Sequence, residues 1–513
     1  MSEDQPDFAN GVAVTAIADG GMLAGWFEGE KVLLVHQAGR FCALSAVCTH
    51  MKAPLGDGMI VGDELICPWH HARFRLESGE AIAAPAFKPL ARFAVEERDG
   101  QLFVTGKRGA PAIAVKAVVD APRIIILGGG AAGYACAEML TRNGWGGAVT
   151  LVSAETDPPY DRTVCSKQYL TGQMERDDCL LEGAEGRSET RFRRQLGRTA
   201  LSIDTGQRKL RLDDGTTIAF DILVLATGAE PNTLDKPGFD RPDVHFLRTL
   251  RDADALMEAA SPGKRAVVIG AGFIGLEAAA SLTQRKLSVD VIAPDAIPLA
   301  AVLGPEVGAM IRGVHEEKGV RFHLGREAIS YDGKVVRLDD GSEVPADLVI
   351  LGLGVVPRTK LAEEAGIACA DKGDGGGVFV NSRLETSASG IFAAGDIARY
   401  PDARLRRPIR VEHWVHAERQ GQHVARVVMG MADEYLELPF FWSAHFDTGL
   451  RYLGHAGPAD ARIDGSVAGR DFSVAYRDGE QDAAVATCNR DRKALEIDAA
   501  WNPVLGHEPT VAG

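Results

Sequence analysis

Two stretches of the chain repeat the same order of a continuous apolar segment, a glycine-rich turn and an alanine-rich segment of helical character. The first begins at Arg123 and the second at Arg265. A continuous apolar run before such a turn is typical of a strand that is buried on both faces of a parallel sheet. The pattern therefore predicts two doubly wound α/β domains of the Rossmann type.

A different pattern precedes and follows these two domains. Between residues 12 and 105, short strands with alternating apolar positions are separated by glycine turns, as at Lys31 to His36 and Phe41 to Val47. This alternation predicts an all-β domain. From Tyr435 onward alternating strands return, which predicts a separate α+β domain.

These patterns divide the chain into five predicted parts, so that the expected fold class is multidomain. The parts are an all-β domain at 1–106, a linker at 107–122, a first Rossmann-like domain at 123–245 and 376–432, a second, inserted one at 246–375, and a C-terminal α+β domain at 433–513. The linker is assigned because its Ala, Val and Pro residues show no strong periodicity.

Composition narrows the class of protein. A chain of 513 residues is too long for a single core, and its net charge of −15 argues against nucleic acid and anionic membranes as partners. The longest apolar run, Ala266 to Leu282, contains Glu277 and three glycines, so no membrane span is expected. The eight cysteines are scattered and the first twenty residues do not resemble a signal peptide, which together favour the cytoplasm.

Two Cys–His pairs near the start of the chain carry the most specific chemistry. They are Cys48-Thr-His50 and Cys67-Pro-Trp-His70. Two such pairs can hold a [2Fe–2S] cluster with two thiolates on one iron and two imidazoles on the other. A zinc site is the alternative, because zinc also takes mixed Cys and His ligands. Iron–sulfur is favoured because zinc sites seldom begin with Cys-x-His and because Pro68 and Trp69 suit a cluster shielded from water.

Residues 30–105 resemble a Rieske domain, including the segments that follow each pair, Ala53-Pro54-Leu55 and Phe74 with Ser78-Gly79-Glu80. The resemblance implies that Cys48, His50, Cys67 and His70 are the cluster ligands. The additional cysteine that high-potential Rieske proteins have in each loop is absent, which favours the ferredoxin-like, lower-potential branch. His71, where a small residue is often found, is expected to support a ligand or to face solvent.

The first Rossmann-like domain carries a dinucleotide fingerprint. Gly128, Gly130 and Gly133 follow an apolar strand directly and open an alanine-rich helix. Such glycines allow the sharp turn, the approach of backbone N–H groups to a pyrophosphate and the packing of helix on strand. A second strand ends near Glu155, where a ribose hydroxyl would be held.

The second domain repeats the fingerprint at Gly270, Gly272 and Gly275. Its next strand should end on an acidic residue if NADH is preferred, but it ends on Ala293, with Asp295 two residues later. No arginine occurs at 293–300 to bind a 2′-phosphate. NADH is therefore expected, with NADPH as the alternative.

Residues 123–510 resemble the ferredoxin reductases of bacterial oxygenase systems and apoptosis-inducing-factor-like flavoproteins. The matching segments are Pro159 to Lys167, Leu225 to Gly228, Gly390 to Asp396, Glu412 to Gln420-Gly421 and Pro439 to Ser443. The resemblance implies that FAD occupies the first fingerprint, with the following residues beside it: Arg162, Lys167, Thr227, Gly228, Gly395, Asp396, Glu412, His413 and Trp414. It also implies catalytic positions near the flavin and nicotinamide for Lys167, Glu277 and Trp442.

Flavin disulfide reductases have a Cys-x4-Cys pair on the helix that faces the flavin, and no such pair exists here. Cys165 is expected to be a single small packing residue. Thiol–disulfide chemistry is therefore disfavoured.

The expected route for electrons is from NAD(P)H to FAD, then to the Rieske cluster, then to a redox protein or oxygenase component. FAD is needed between the first and third of these because flavin converts a hydride into single electrons. Transfer within one chain or across a homodimer would both be compatible. The alternatives are a redox-sensing signalling flavoprotein and an NADH oxidase.

Overall fold

A computed structural model describes residues 5–109, 121–181 and 192–505. These residues form two compact units. The first comprises residues 5–109, 436–438 and 490–505, and the second comprises 121–181, 192–435 and 439–489. Most of the predicted linker, residues 110–120, lies outside the described residues, and a strand of the first unit continues to Arg108.

The first unit is built on two antiparallel sheets, which confirms the all-β prediction. The larger sheet has six strands in the spatial order Val12–Ala13, Gln101–Arg108, Arg92–Arg98, Arg40–Ser45, Glu30–Gln37 and Met22–Phe27. The smaller sheet has four strands in chain order, Met59–Val61, Glu64–Ile66, Arg73–Arg75 and Ala81–Ala83. Short 3₁₀ turns lie at Phe8–Asn10, Val14–Ala16 and Leu55–Asp57.

A helix from the far end of the chain completes the first unit. It spans Asp491–Trp501, and Leu495 and Leu505 pack on Ile66 of the smaller sheet. The structure thus divides the predicted C-terminal domain, because this helix buries its apolar face against the first unit while the strands before it belong to the second. Sequence pattern shows that a helix is amphipathic but not which surface it covers.

The second unit contains the two predicted parallel sheets. The first has the order Arg193–Leu196, Val149–Ser153, Ile124–Leu127, Ile222–Leu225 and Ile391–Ala393. The second has the order Val244–His245, Leu348–Leu351, Arg265–Ile269, Ser288–Ala293 and Arg321–Leu324. Val244–His245 pairs with Leu348–Leu351, so the second sheet begins just before the predicted boundary at residue 246.

Smaller sheets and the helices surround these two sheets. The remaining strands are Ala200–Asp204, Lys209–Leu212 and Thr217–Ala219; Ala328–Tyr331, Val335–Leu338 and Glu343–Pro345; Ala229–Pro231 with Val355–Pro357; and Val378–Phe379, Ala398–Asp402 and Arg407–Ile409. The helices are Ala131–Arg142, Gln168–Thr171, Leu250–Ala259, Phe273–Gln284, Ala300–Leu303, Pro305–Glu317, Lys360–Glu364 and Trp414–Val428, with 3₁₀ turns at Arg162–Ser166, Asp177–Cys179 and Lys372–Asp374. No helix within the described residues is long and apolar enough to cross a membrane.

An antiparallel sheet follows the Rossmann-like part of the second unit. Its strands have the order Phe440–His445, Thr448–Gly454, Gln481–Cys488, Asp471–Asp478 and Ala461–Ser466. Phe441, Tyr452 and Tyr476 share one apolar cluster with Leu276 of the second fingerprint helix. This packing places the edge strand Phe440–His445 against the helix that follows the second fingerprint.

Helix Trp414–Val428 packs closely on helix Ala131–Arg142, which follows the first fingerprint. A Cβ atom at Gly421 would lie 2.0 Å from the carbonyl oxygen of Ala132. One residue earlier, the side-chain oxygen of Gln420 accepts a hydrogen bond from the N–H of Gly395 over 2.7 Å. The crossing therefore fixes the segment before Asp396 beside the start of the fingerprint helix.

We expect Gly421→Ala to lower the stability of the second unit by about 1–3 kcal/mol, because the added methyl has no space at this crossing. Gly313→Ala is the matched control, since Gly313 also lies within a helix but a Cβ there meets nothing within 4 Å. That substitution should be neutral or stabilising by up to about 1 kcal/mol through helix propensity. Thermal unfolding monitored by flavin fluorescence measures both, and equal midpoints would contradict the expectation.

Candidate cofactor sites

The two predicted metal-ligand loops close in the same way. The N–H of Cys48 bonds to the carbonyl of Ala53, and the N–H of Cys67 bonds to that of Ala72, each over 2.9 Å. The carbonyl of each cysteine in turn accepts a bond from the residue four positions later, Lys52 or His71. Both of those residues have positive φ, of 61° and 56°. The loops are therefore two copies of one tight backbone turn.

The four predicted ligands lie together in two like pairs. The Nδ1 atoms of His50 and His70 are 3.1 Å apart. The Cys48 thiol forms a hydrogen bond with that of Cys67, and this bond together with burial raises the pKa of Cys48 far above its usual range. Both cysteines are buried. A bound metal removes such a proton, because the thiolate is the ligand.

This arrangement fits a binuclear cluster. Two sulfurs side by side, and two imidazole nitrogens 3.1 Å apart, would supply two ligands to each of two irons. The expectation that Trp69 shields the site is only partly met, since this side chain is 37% exposed.

The first fingerprint has the geometry that a dinucleotide needs. Gly128 has φ of 119°, and a Cβ on Gly133 would lie 1.9 Å from the Gly128 carbonyl oxygen. Beside Gly130, by contrast, only an Arg162 nitrogen comes within 4 Å of such a Cβ. The first and third glycines are thus required by the turn and the packing, while the second leaves open space for a pyrophosphate.

The second fingerprint repeats this division of roles. Gly270 has φ of 108°, and a Cβ on Gly275 would lie 2.3 Å from the Gly270 carbonyl oxygen. Nothing lies within 4 Å of a Cβ on Gly272. The residues present therefore fit a dinucleotide at both positions.

Charged side chains surround the first fingerprint. Arg162 donates to the Glu155 carboxylate over 2.7 Å, and the Tyr160 hydroxyl donates to it over 2.5 Å. Burial raises the pKa of Glu155, but Arg162 and Tyr160 lower it, and the net shift is downward. Glu155 therefore stays ionised, and its contact with a ribose stays a prediction. Arg162 lies next to the open space at Gly130.

Arg248 is a site residue that the sequence motifs did not reveal. Its guanidinium lies 2.9 Å from the Asp396 carboxylate and within 4 Å of a Cβ built on Gly228, and its carbonyl accepts a bond from Arg162. It therefore brings together three predicted FAD-binding segments. Arg248 lies three residues after the predicted end of the first segment of the FAD domain at residue 245, and no known motif includes a residue at this position.

A buried ion pair joins the two predicted catalytic residues Lys167 and Glu277. The Lys167 ammonium lies 2.7 Å from Oε2 of Glu277, which also accepts a hydrogen bond from Ser166 over 2.6 Å. Lys167 follows a 3₁₀ turn in which the Asp161 side chain accepts a hydrogen bond from the N–H of Thr163. Glu277 lies in the helix of the second fingerprint and is 3% exposed. The pair therefore links the segments predicted to bind FAD and nicotinamide.

The edge strand Phe440–His445 supplies further partners to this pair. Ser443 donates to Oε1 of Glu277 over 2.7 Å, and its oxygen lies 3.2 Å from Nε2 of His445. His445 in turn lies 3.2 Å from His315. Burial lowers the pKa of both imidazoles to about 3, so they are uncharged at neutral pH. Ser443 was not predicted, because its role depends on strand register.

Trp442 lies on the opposite face of this strand from Ser443, since side chains alternate along a strand. Its ring stacks on Phe440 with 6.4 Å between centroids. On the Ser443 face, the Phe441 ring instead lies against the His413 ring at a tilted angle, with 4.3 Å between centroids. The catalytic role of Trp442 stays a prediction.

The other predicted FAD contacts lie nearby in the second unit. Glu412 pairs with Arg410 over 2.6 Å, and burial raises its pKa. Trp414 is the first residue of helix Trp414–Val428. The Thr227 hydroxyl donates to the carbonyl of Arg358 over 3.4 Å. Their contact with FAD stays a prediction.

Asp295 is exposed two residues beyond the strand Ser288–Ala293, as the sequence indicates. The structure adds an arginine that the sequence window 293–300 missed. The N–H of Arg326 bonds to the carbonyl of Ala293, and its side chain pairs with Asp340 over 2.9 Å. An acidic residue and an arginine therefore both lie near the end of this strand, and the choice between NADH and NADPH stays a prediction.

Comparison with known proteins identifies both parts of the chain. Residues 122–421 match the family described as pyridine nucleotide-disulphide oxidoreductase, and residues 12–94 match the Rieske [2Fe-2S] domain. These matches imply FAD, NAD(P)H and a [2Fe–2S] cluster, which confirms the predicted cofactors. The predicted resemblance to both families is also confirmed.

Named relatives cover the chain to different extents. Apoptosis-inducing factor 3 of Homo sapiens is 31% identical over 512 residues, covering 94% of this chain and 82% of the relative. The anthranilate 1,2-dioxygenase system ferredoxin–NAD(+) reductase component of Burkholderia cepacia is 33% identical, covering 77% of this chain and 98% of the relative. In the solved covalent complex of putidaredoxin reductase with putidaredoxin, one chain is 30% identical with a TM-score of 0.70, covering 76% of this chain and 97% of that one.

We expect Cys67→Ala to abolish the cluster and leave FAD in place, because the ligand and the flavin fingerprint lie in different units. Iron and acid-labile sulfide should fall from about two of each per chain to near zero. Cys42→Ala is the matched control, since Cys42 is a cysteine of the same unit outside both loops. Iron retained in Cys67→Ala, or zinc in place of iron in the parent chain, would contradict the assignment.

We expect Glu277→Gln to slow flavin reduction by NADH by about tenfold, which corresponds to the loss of roughly one charge-assisted hydrogen bond to Lys167. Stopped-flow absorbance of the flavin under anaerobic conditions measures the rate constant. Glu258→Gln is the control, because Glu258 is an exposed glutamate on a neighbouring helix. An unchanged rate in Glu277→Gln would show that the pair has no part in the reaction.

Proposed function

We propose that this chain, which belongs to the pyridine nucleotide-disulphide oxidoreductase family and carries a Rieske domain, passes electrons from NADH through FAD to its own cluster and then to an external redox protein. Its activity as an NAD(P)H-dependent flavin oxidoreductase follows from its relationship to the ferredoxin–NAD(+) reductases. The observation that supports the internal route is the presence of both Cys–His pairs, arranged as cluster ligands, in the chain that carries two dinucleotide fingerprints.

The number of electrons transferred in each step explains why one chain would combine nicotinamide, FAD and cluster sites. A nicotinamide gives up two electrons as a hydride, whereas a [2Fe–2S] cluster takes one. FAD, when bound, supplies the conversion between the two. A chain that contained only the two dinucleotide sites would need a separate iron–sulfur protein for the single-electron step.

The residues of the second unit would position the cofactors rather than react themselves. The open spaces at Gly130 and Gly272 would admit the two pyrophosphates. Arg162 and Arg248 would place positive charge beside the first of them. The Lys167–Glu277 pair would fix the region where nicotinamide and flavin meet, with Ser443 holding the carboxylate from its other oxygen.

The cluster would deliver one electron at a time, so its partner should be a protein that accepts single electrons. The solved complex unites putidaredoxin reductase with putidaredoxin, and another relative is a component of a dioxygenase system. We infer that this chain supplies single electrons to an oxygenase component or a similar redox protein. We also infer a preference for NADH, based on Asp295, and a cytoplasmic location, based on eight cysteines that form no disulfide.

A redox-sensing role is the second candidate, because the relative named apoptosis-inducing factor 3 matches across 94% of the chain, including its Rieske part. Such a protein should turn over slowly and change its oligomeric state when NADH binds. Light scattering during size-exclusion chromatography, with and without NADH, distinguishes this candidate from a continuously working reductase.

We expect removal of the cluster to separate two activities. In Cys67→Ala, NADH-dependent reduction of ferricyanide, which can take electrons from flavin, should stay within about twofold of the parent. Reduction of cytochrome c, used as a one-electron protein acceptor, should fall by about tenfold or more. Initial rates with saturating NADH measure both.

The control is Cys42→Ala, which should leave both activities unchanged. Equal cytochrome c rates in the parent and Cys67→Ala would contradict the internal route, since electrons would then leave directly from flavin. Rapid oxygen consumption by the parent without any added acceptor would instead favour the NADH oxidase alternative.

A further inference from the structure

His71 has a backbone conformation that side chains rarely adopt. It closes the second ligand loop directly after His70, and its φ is 56°. Non-glycine residues in this left-handed region carry strain, and they persist where the surrounding structure holds them in place. His71 is also fully buried, so the solvent-facing alternative suggested by the sequence is wrong.

The partner of His71 comes from the far end of the chain. Nδ1 of His71 lies 2.7 Å from Oδ2 of Asp498, and both side chains are almost completely buried. Asp498 lies in the helix Asp491–Trp501, which packs within the same unit through Leu495. The contact joins residues 427 positions apart.

Asp498 belongs to a connected buried network. The side-chain nitrogen of Asn502 lies 3.2 Å from the other oxygen of Asp498 and 3.2 Å from Oε2 of Glu437. The second oxygen of Glu437 pairs with Arg73. We call Glu437, Asp498 and Asn502 the carboxyl-terminal clamp. It contacts the chain at both His71 and Arg73, immediately after the ligand His70.

Arg73 is held from both sides. Its guanidinium also lies 3.7 Å from Glu64 of the neighbouring strand. Burial lowers the pKa of Arg73, but Glu437, Glu64 and Asp498 raise it, and the net shift is upward. A buried charge is stabilised only where its partners of opposite sign can reach it. The ion pairs of Arg73 therefore hold the start of the strand Arg73–Arg75, which follows the second ligand loop.

We propose that Asp498 is a positioning residue for the cluster, and that the carboxyl-terminal clamp holds the second ligand loop closed through His71. The residue closing the loop is strained, and the hydrogen bond to Asp498 keeps it in place so that His70 and Cys67 stay aligned. Removing a group that orients a metal ligand commonly weakens metal binding by about 10- to 100-fold. The inference rests on the cluster being in this unit and is independent of the route by which electrons reach it.

The first ligand loop offers an internal comparison. Lys52 occupies the position equivalent to His71, with φ of 61°, but its side chain is exposed. The clamp residues contact the second loop at His71 and the strand that follows it at Arg73. Because the clamp supports His71 in the second loop, we expect iron binding to depend more strongly on His71 and its partner than on the side chain of Lys52.

The decisive experiment compares Asp498→Ala, His71→Gly and the double variant in the full-length chain. Asp498→Ala should speed the loss of iron to a chelator by about 10-fold or more and broaden the electron paramagnetic resonance signal of the dithionite-reduced cluster. Adding His71→Gly should restore slow loss and a narrow signal, because glycine adopts this φ without help. Asp498→Asn, which keeps an acceptor oxygen, should behave nearly as the parent.

Two controls separate positioning from general destabilisation. Glu496→Gln lies on the exposed side of the same helix, and Lys52→Gly relaxes the equivalent turn of the first loop. Neither should change iron loss, and neither should rescue Asp498→Ala. Resistance of the first unit to limited proteolysis reports that this unit has folded in each variant, because the flavin fingerprint lies in the other unit and FAD content would report only on that one. The proposal is overturned if Asp498→Ala holds iron as the parent does, or if the double variant loses iron as fast as Asp498→Ala.

Discussion

The predicted cluster depends on the convergence of two ligand loops, which must present two sulfurs to one iron and two nitrogens to the other. Both loops solve this with the same pair of backbone hydrogen bonds and one residue of positive φ. Because the backbone sets the positions of the donors, residues behind the loops matter as much as the ligands. In the second loop that support comes from His71, Arg73 and a helix near the end of the chain.

The first unit is therefore more than a domain added in front of a reductase. It is assembled from three separate segments of the chain, including residues 436–438 and 490–505. The second unit is interrupted in turn, and its edge strand Phe440–His445 begins directly after one of these segments. Because segments of the two units alternate along one chain, the residues proposed for the two-electron and one-electron steps belong to the same polypeptide.

Sequence reasoning predicted what local pattern determines. Glycine fingerprints, buried strands and Cys–His spacing each need only a few neighbouring residues, so both Rossmann-like sheets and the presence of a Rieske domain could be anticipated. It could not predict contacts between residues far apart in the chain. Arg248 and Asp498 belong to no motif, and Ser443 lies in a matching segment that implied no role for it. Each contacts a partner more than 80 positions away. The carboxyl-terminal helix was assigned to the wrong neighbours for the same reason.

The most direct test of the central claim is electron paramagnetic resonance of the full-length protein after anaerobic addition of excess NADH, without dithionite or any mediator. The account predicts a Rieske-type signal of about one spin per chain, because the flavin reduces the cluster of the same protein. Full bleaching of the flavin with no cluster signal, in a protein that contains iron and acid-labile sulfide, would contradict it.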